Sequence, residues 1–175
     1  MGTRGAWGFR MGGEDKVTFV SMDSYPEGWP EDLVEVFKHT NLEVLPARVA
    51  AWKGVSMDDF AGMDKTPAKS NFEEMLNLGL FSDNRDFLKD SLFCEWAYIF
   101  NLDAGVFEVY TGFNRQVDAV EGLLIRSSGD YGRYWDKETS DEGDYMGVRL
   151  VKTFPLYEIP DDWIRVVQEV TAETK

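Results

Sequence analysis

Cysteine and histidine are almost absent from this chain of 175 residues, which has one of each, Cys94 and His39. A single cysteine excludes an intrachain disulfide. One cysteine and one histidine cannot supply an ordinary zinc site. A histidine-dependent nucleophile would need His39, and no Gly-x-Ser-x-Gly sequence accompanies it. The residue types therefore predict no catalytic residue, no metal ligand and no cofactor.

Long apolar runs are missing as well. No stretch approaches the roughly 18 apolar residues of a membrane span. The first ten residues lack the apolar centre of a signal peptide. No segment rich in Gly, Pro or Ser separates one half from the other. We therefore expect one globular domain over residues 1–175, cytoplasmic and without a membrane partner.

Basic residues are few, since 18 Lys and Arg stand against 32 Asp and Glu, a net charge of −14. Such a surface repels nucleic-acid backbones and attracts basic partners. Solubility alone also explains it. The acidic run at 136–144 does not match the spacing of a calcium-binding loop, which favours a solvated loop.

Aromatic residues, by contrast, are abundant at 14% of the chain and can fill a core. Alternating apolar residues predict hairpins at 3–10 with 16–22 and at 95–102 with 106–113, and a fifth strand at 147–154. The first turn, at 11–15, is longer than two residues and predicts a bulge. Adjacent hairpins favour an α+β fold, with a mainly antiparallel sheet of about five strands and helices packed on one side.

Helical spacing follows the first hairpin and recurs at the end of the chain. Ser70 is the predicted N-cap of a helix at 71–78, with Glu73 completing a capping box and Gly79 ending the helix. Residues 53–65 read as irregular, and 114–125 are ambiguous. Residues 126–146 form a long polar excursion. The other predicted helical segments are 30–39, 45–52, a turn within 83–90, and a last helix from Pro160.

Two predicted loop segments contain large aromatic residues among mostly polar residues. The loop at 23–30 carries Tyr25 and Trp29. The excursion carries arginine with aromatics, which can stack on a nucleotide, anchor a protein interface or simply cover the sheet edge. The candidate ligand- or partner-binding residues are Tyr25, Trp29, Arg126, Tyr131, Arg133, Tyr134 and Trp135.

A hydrolase with an N-terminal nucleophile is a further alternative. An N-terminal hairpin carrying Thr3, followed by Asp23 and Ser24, has the outline of that class. Removal of the initiator methionine would expose Gly2, which has no nucleophilic side chain. Thr3 would need a further cleavage, which weighs against the hydrolase.

Short segments along the chain resemble those of an uncharacterised family of small bacterial and phage proteins. The resemblance is carried by MGTRG at the start with Gly8-Phe9, by EWAY at 95–98, by LDAG at 102–105 and by EVYTGF at 108–113. It implies an intracellular accessory protein of a bacterium or phage. It supplies no activity and no catalytic residue.

These observations favour a non-enzymatic, acidic binding protein of a bacterium or phage that sequesters or blocks a partner, with a host protein as one candidate. A small-molecule or nucleotide-binding domain is the alternative, and the N-terminal-nucleophile hydrolase is the third. A protein partner or a small nucleotide-like ligand is expected, rather than a nucleic-acid backbone.

Overall fold

The structure, a computed structural model, describes residues 2–64, 69, 71–115, 132–135 and 145–173. The strands in these ranges are β1 Gly5–Met11, β2 Glu14–Val20, β3 Lys53–Val55, β4 Leu80–Ser82, β5 Trp96–Asn101, β6 Val106–Thr111 and β7 Arg149–Pro155. The helices are α1 Trp29–Lys38, α2 Leu45–Ala51, α3 Met57–Ala61, α4 Phe72–Leu78 and α5 Trp163–Glu173. Two 3-10 segments, Arg85–Lys89 and Leu156–Glu158, precede β5 and α5.

The main sheet has the strand order β2-β1-β5-β6-β7. Each neighbouring pair is antiparallel except β1 and β5, which run parallel with Gly5 opposite Trp96. The β2 strand ends at Val20, opposite Gly5 at the start of β1. The chain therefore enters β5 from that same end of the sheet, after the segment that contains α1 to α4, and β5 runs parallel to β1. The α+β class, the mainly antiparallel sheet of five strands and the predicted β5–β6 hairpin are confirmed.

The two faces of the sheet are covered differently. Trp7, Phe9, Tyr98, Phe100 and Phe107 point to one face, where they pack with buried residues of all five described helices. The alternate positions of the strands face a smaller core, which includes Leu88 of the first 3-10 segment, Cys94, Tyr134 and Val148. The prediction of helices on one side is therefore confirmed for the described residues.

Three local predictions are wrong. Residues 53–55 and 80–82 form a separate parallel pair, β3 with β4, and α3 follows β3 in the segment expected to be irregular. Asn71 rather than Ser70 caps α4, because its side chain accepts the Glu74 amide at 3.1 Å. The first hairpin turn contains two residues, Gly12 and Gly13, both with positive φ, and pairs without a bulge.

The tips of the two hairpins are joined through Asp103. Its carboxylate accepts the amides of Gly12 at 2.8 Å and Gly13 at 3.0 Å. These two hydrogen bonds, with that of Gly13 the stronger cause, lower the pKa of the Asp103 carboxyl below its ordinary value. The clasp is exposed and joins two segments 90 or more residues apart in sequence.

We expect the loss of this clasp on protonation of Asp103 to make the protein less stable in acid. The pKa of Asp103 is lower in the folded state than in the unfolded state. The ionised carboxylate therefore stabilises the fold fully above the pKa of the unfolded state. This stabilisation is lost as the pH falls through the pKa of the folded state. Melting temperatures of wild type and Asp103→Asn, measured from pH 7 to pH 2.5, test this. The variant should show a smaller loss of melting temperature between pH 4 and pH 2.5. Parallel curves would contradict the assignment.

Candidate functional site

A groove lies beside the loop that connects β2 to α1, at the end of the sheet where β1 and β5 begin. Its volume is about 490 Å³. The sequence predicts Tyr25 and Trp29 as site residues, and both line it. The described residues around the groove are Val20, Met22, Asp23, Tyr25, Glu27, Gly28, Trp29 and Asp32.

Hydrogen bonds to buried groups hold the loop in place. The Trp29 indole donates to the Met22 carbonyl at 3.0 Å and lies 3.1 Å from the Ser24 hydroxyl. The Trp29 ring also packs edge-to-face on Tyr98, with the centroids 5.6 Å apart. The Tyr98 hydroxyl in turn donates to the Ser24 carbonyl at 2.8 Å. Trp29 is therefore fixed between the loop and the core.

The backbone of the loop is sharply bent at Asp23, which adopts φ +54°. Such a conformation is uncommon outside glycine and asparagine or aspartate positions. The Trp29 backbone amide donates a hydrogen bond to the Asp23 carbonyl at 3.3 Å. A Cβ on Gly28 would lie 2.1 Å from that carbonyl oxygen, so only glycine fits there. These contacts stabilise the loop in this backbone arrangement.

Two large side chains stand out from this rigid loop into solvent. Met22 is 58% exposed and Tyr25 is 51% exposed. Methionine and tyrosine are both enriched at protein interfaces. The groove therefore combines a fixed indole wall with an apolar rim that water covers in the free chain.

The groove is acidic, and its three acids are exposed to solvent. Asp23, Glu27 and Asp32 line it, and none of their carboxylates makes a hydrogen bond or ion pair with any described residue. Two half-buried acids outside the groove do form ion pairs, Glu95 with Arg4 and Asp15 with Arg10. Asp32 also lies in the first turn of α1, where the helix dipole favours an acid. Asp23 and Glu27 precede the helix.

In the second predicted segment, the described residues Arg133 and Tyr134 are held against the sheet. Arg133 donates to both carboxylate oxygens of Glu108, at 2.8 and 2.7 Å. Glu108 is buried on β6 and also accepts the Asn101 amide at 2.9 Å and the Tyr110 hydroxyl at 3.0 Å. Burial, and then the Glu108 carboxylate, raise the pKa of Tyr110. Arg133 is therefore an anchor of its segment on the sheet.

The other residues predicted in that segment differ in their burial, and two of them are not described. Tyr134 is 5% exposed and belongs to the smaller core, with its ring 5.2 Å from that of Tyr110. Trp135 is half-buried. Arg126 and Tyr131 lie outside the described residues, as do the acidic run at 136–144 and most of the predicted excursion. The structure does not bring Tyr134 to the surface, where the sequence predicted a contact.

Among the described residues, Thr3 lies beside Ser24, whereas no hydrogen bond or ion pair joins Thr3, His39 and Cys94 to one another. Thr3 is buried, and its carbonyl accepts the Ser24 amide at 3.2 Å. His39 is exposed at the end of α1, 3.0 Å from Glu35. Cys94 is fully buried, and this burial raises the pKa of its thiol. A buried thiol with a raised pKa is a poor nucleophile.

A second groove, of about 580 Å³, lies where β3 and β4 end. Its only arginine among the described residues, Arg85, is held by the carboxylate of Asp83, at 3.0 Å from Nε and 2.8 Å from Nη2. Asn84 lines it too, and its side chain accepts the Phe19 amide at 3.2 Å. These polar groups are engaged within the fold, so the groove beside α1 is the stronger candidate.

Comparisons with protein-family models, with curated proteins and with solved structures gave no match. The resemblance to a bacterial and phage family therefore stays a prediction. In the described part of the chain, no three side chains of the metal-binding types come together. None of the described helices is long and apolar enough to span a bilayer.

Proposed function

We propose that this chain is a non-enzymatic binding protein that sequesters or blocks a partner protein, and that the groove beside α1 is its contact site. The proposal rests on one observation, the pairing of exposed Met22 and Tyr25 with a rigid, preformed groove. Rigid aromatic anchors around a pocket carry most of the energy at protein interfaces. A preorganised loop also loses little entropy on binding.

The resemblance seen in the sequence favours a particular kind of partner. The resemblance to small bacterial and phage proteins favours a role in a bacterium or an infected cell. In that setting the chain would occupy a surface of another protein, and a host protein is one candidate. The acidic surface favours a partner with a basic contact region.

The test is affinity capture from the native cell with three tagged proteins. They are wild type, a groove variant with Met22→Ser and Tyr25→Ala, and a control, Tyr157→Ala. Tyr157 is 80% exposed and lies beside Leu156, whose amide bonds to the Gly105 carbonyl at the opposite end of the sheet. We expect a protein retained equally by wild type and control, and at least about tenfold less by the groove variant, a loss of about 1.4 kcal/mol.

Thermal unfolding of the three proteins accompanies the capture. Both sets of substitutions are at exposed positions, which usually change stability by no more than about 0.5 kcal/mol per site. A partner retained equally by all three proteins would move the contact site away from the groove. Wild type that retains no protein above an untagged control would contradict the binding function itself.

A further inference from the structure

The groove also has features that select one kind of ligand group. Its apolar surfaces are Val20, Met22 and the rings of Tyr25 and Trp29. The half-buried Trp29, at the start of α1, is held in place by the hydrogen bond from its indole nitrogen to the Met22 carbonyl. An aliphatic stem could pack along these surfaces, as the stems of long polar side chains do elsewhere.

The charged groups of the groove are all of one sign. Asp23, Glu27 and Asp32 line it, and no lysine or arginine is among its described lining residues. Carboxylates beside an exposed aromatic ring attract a cation in two ways, through their negative charge and through the ring face. An anionic group would be repelled by all three acids.

We infer that the groove binds a lysine or arginine side chain carried on an extended apolar segment of the partner protein. This inference rests on the proposed function and names the group that the contact site selects. The aliphatic stem packs on Met22 and Trp29, and the cationic head lies among the carboxylates against Tyr25. Charge complementarity selects this ligand, since an apolar stem that ends in a cation matches both halves of the groove.

Four short peptides test the selection directly. They are the acetylated, amidated hexapeptides Ala-Leu-X-Leu-X-Ala, in which X is lysine, arginine, glutamine or glutamate. Each is titrated into ¹⁵N-labelled full-length protein at 0.15 M salt, and amide shifts give both the site and the Kd. We expect the lysine and arginine peptides to shift the amides of residues 22–32, with Kd about tenfold or more below that of the glutamine peptide.

Two charge variants separate the groove from the net charge of the protein. The groove triple is Asp23→Asn, Glu27→Gln and Asp32→Asn, and asparagine tolerates the positive φ at position 23. The control triple is Asp58→Asn, Glu158→Gln and Glu173→Gln, at exposed positions outside the groove. Each changes the net charge from −14 to −11, since three negative charges are removed. Only the groove triple should abolish the preference for lysine and arginine over glutamine.

Each other outcome overturns a defined part of the argument. A glutamine peptide that binds the groove as tightly as the lysine peptide would refute cation selection and leave the proposed contact site standing. Equal losses in both triples, or shifts spread over the acidic surface, would show unspecific attraction and refute the inference. Peptides that leave residues 22–32 unshifted would refute it too. The capture experiment then decides the proposed function separately, because it does not depend on these peptides.

Discussion

Replacing Arg133 by alanine is expected to lower the free energy of unfolding by about 3–5 kcal/mol, the usual cost of removing one partner of a buried ion pair. The Glu108 side chain is 7% exposed and that of Arg133 is 26% exposed. Without the guanidinium, the partners that the buried carboxylate keeps within the described part of the chain are Asn101 and Tyr110. Urea unfolding followed by circular dichroism measures the loss.

Two further variants show whether the buried charge is the cause. Arg85→Ala removes a guanidinium of the exposed pair with Asp83 and should cost less than about 1 kcal/mol. The double variant Arg133→Met with Glu108→Leu removes both charges and should recover most of the stability lost in Arg133→Ala. If Arg133→Ala costs no more than Arg85→Ala, the segment around Arg133 is not anchored through Glu108.

This result bears on function as well as on stability. Arg133 neutralises the buried Glu108 carboxylate. If Arg133 moved to bind a nucleotide, the charge of Glu108 would be left buried without its cation. The sequence predicted Arg133 as a ligand- or partner-binding residue because arginine beside two aromatics is typical of such sites. The geometry favours a structural role for it and leaves Tyr25 and Trp29 as the predicted residues that reach a groove.

Tyr98→Ala is expected to cost about 3–5 kcal/mol, as large-to-small changes of buried aromatic residues do. Tyr98 has no exposed surface and its ring packs edge-to-face against Trp163, with the centroids 6.3 Å apart. Its hydroxyl also holds the Ser24 carbonyl under the groove. The variant should therefore lose stability and peptide binding together.

Tyr98→Phe separates these two contributions. It keeps the ring and removes the hydroxyl, so Ser24 loses one hydrogen bond at a cost of about 1–3 kcal/mol. Trp96→Ala serves as the comparison from the same strand. Because Trp96 is only half-buried, this substitution should lower the free energy of unfolding by less than Tyr98→Ala does. Losses below about 1 kcal/mol in Tyr98→Ala would mean that the core has been wrongly located.

Several elements could be predicted because their signals are local. The β5–β6 hairpin has alternating large apolar residues around an Asp-Ala-Gly turn, and its register places Phe100 opposite Phe107. Helix α4 ends at Gly79 with φ +73°, as the glycine indicated. The strands β3 and β4 gave no signal, because three residues are too few to show a period. The parallel pairing of β1 with β5 depends on where the helices lead the chain.

The sequence by itself determined the α+β class, the β5–β6 hairpin and the loop that carries Tyr25 and Trp29. The alternation of apolar residues, the turn residues and the aromatic residues can each be read within a short segment of the sequence. Only the tertiary structure decided that Asp23, Glu27 and Asp32 line one groove with those rings. It alone paired Arg133 with Glu108, across 25 residues of sequence. Such pairings depend on how strands and loops are brought together, and no local pattern records them.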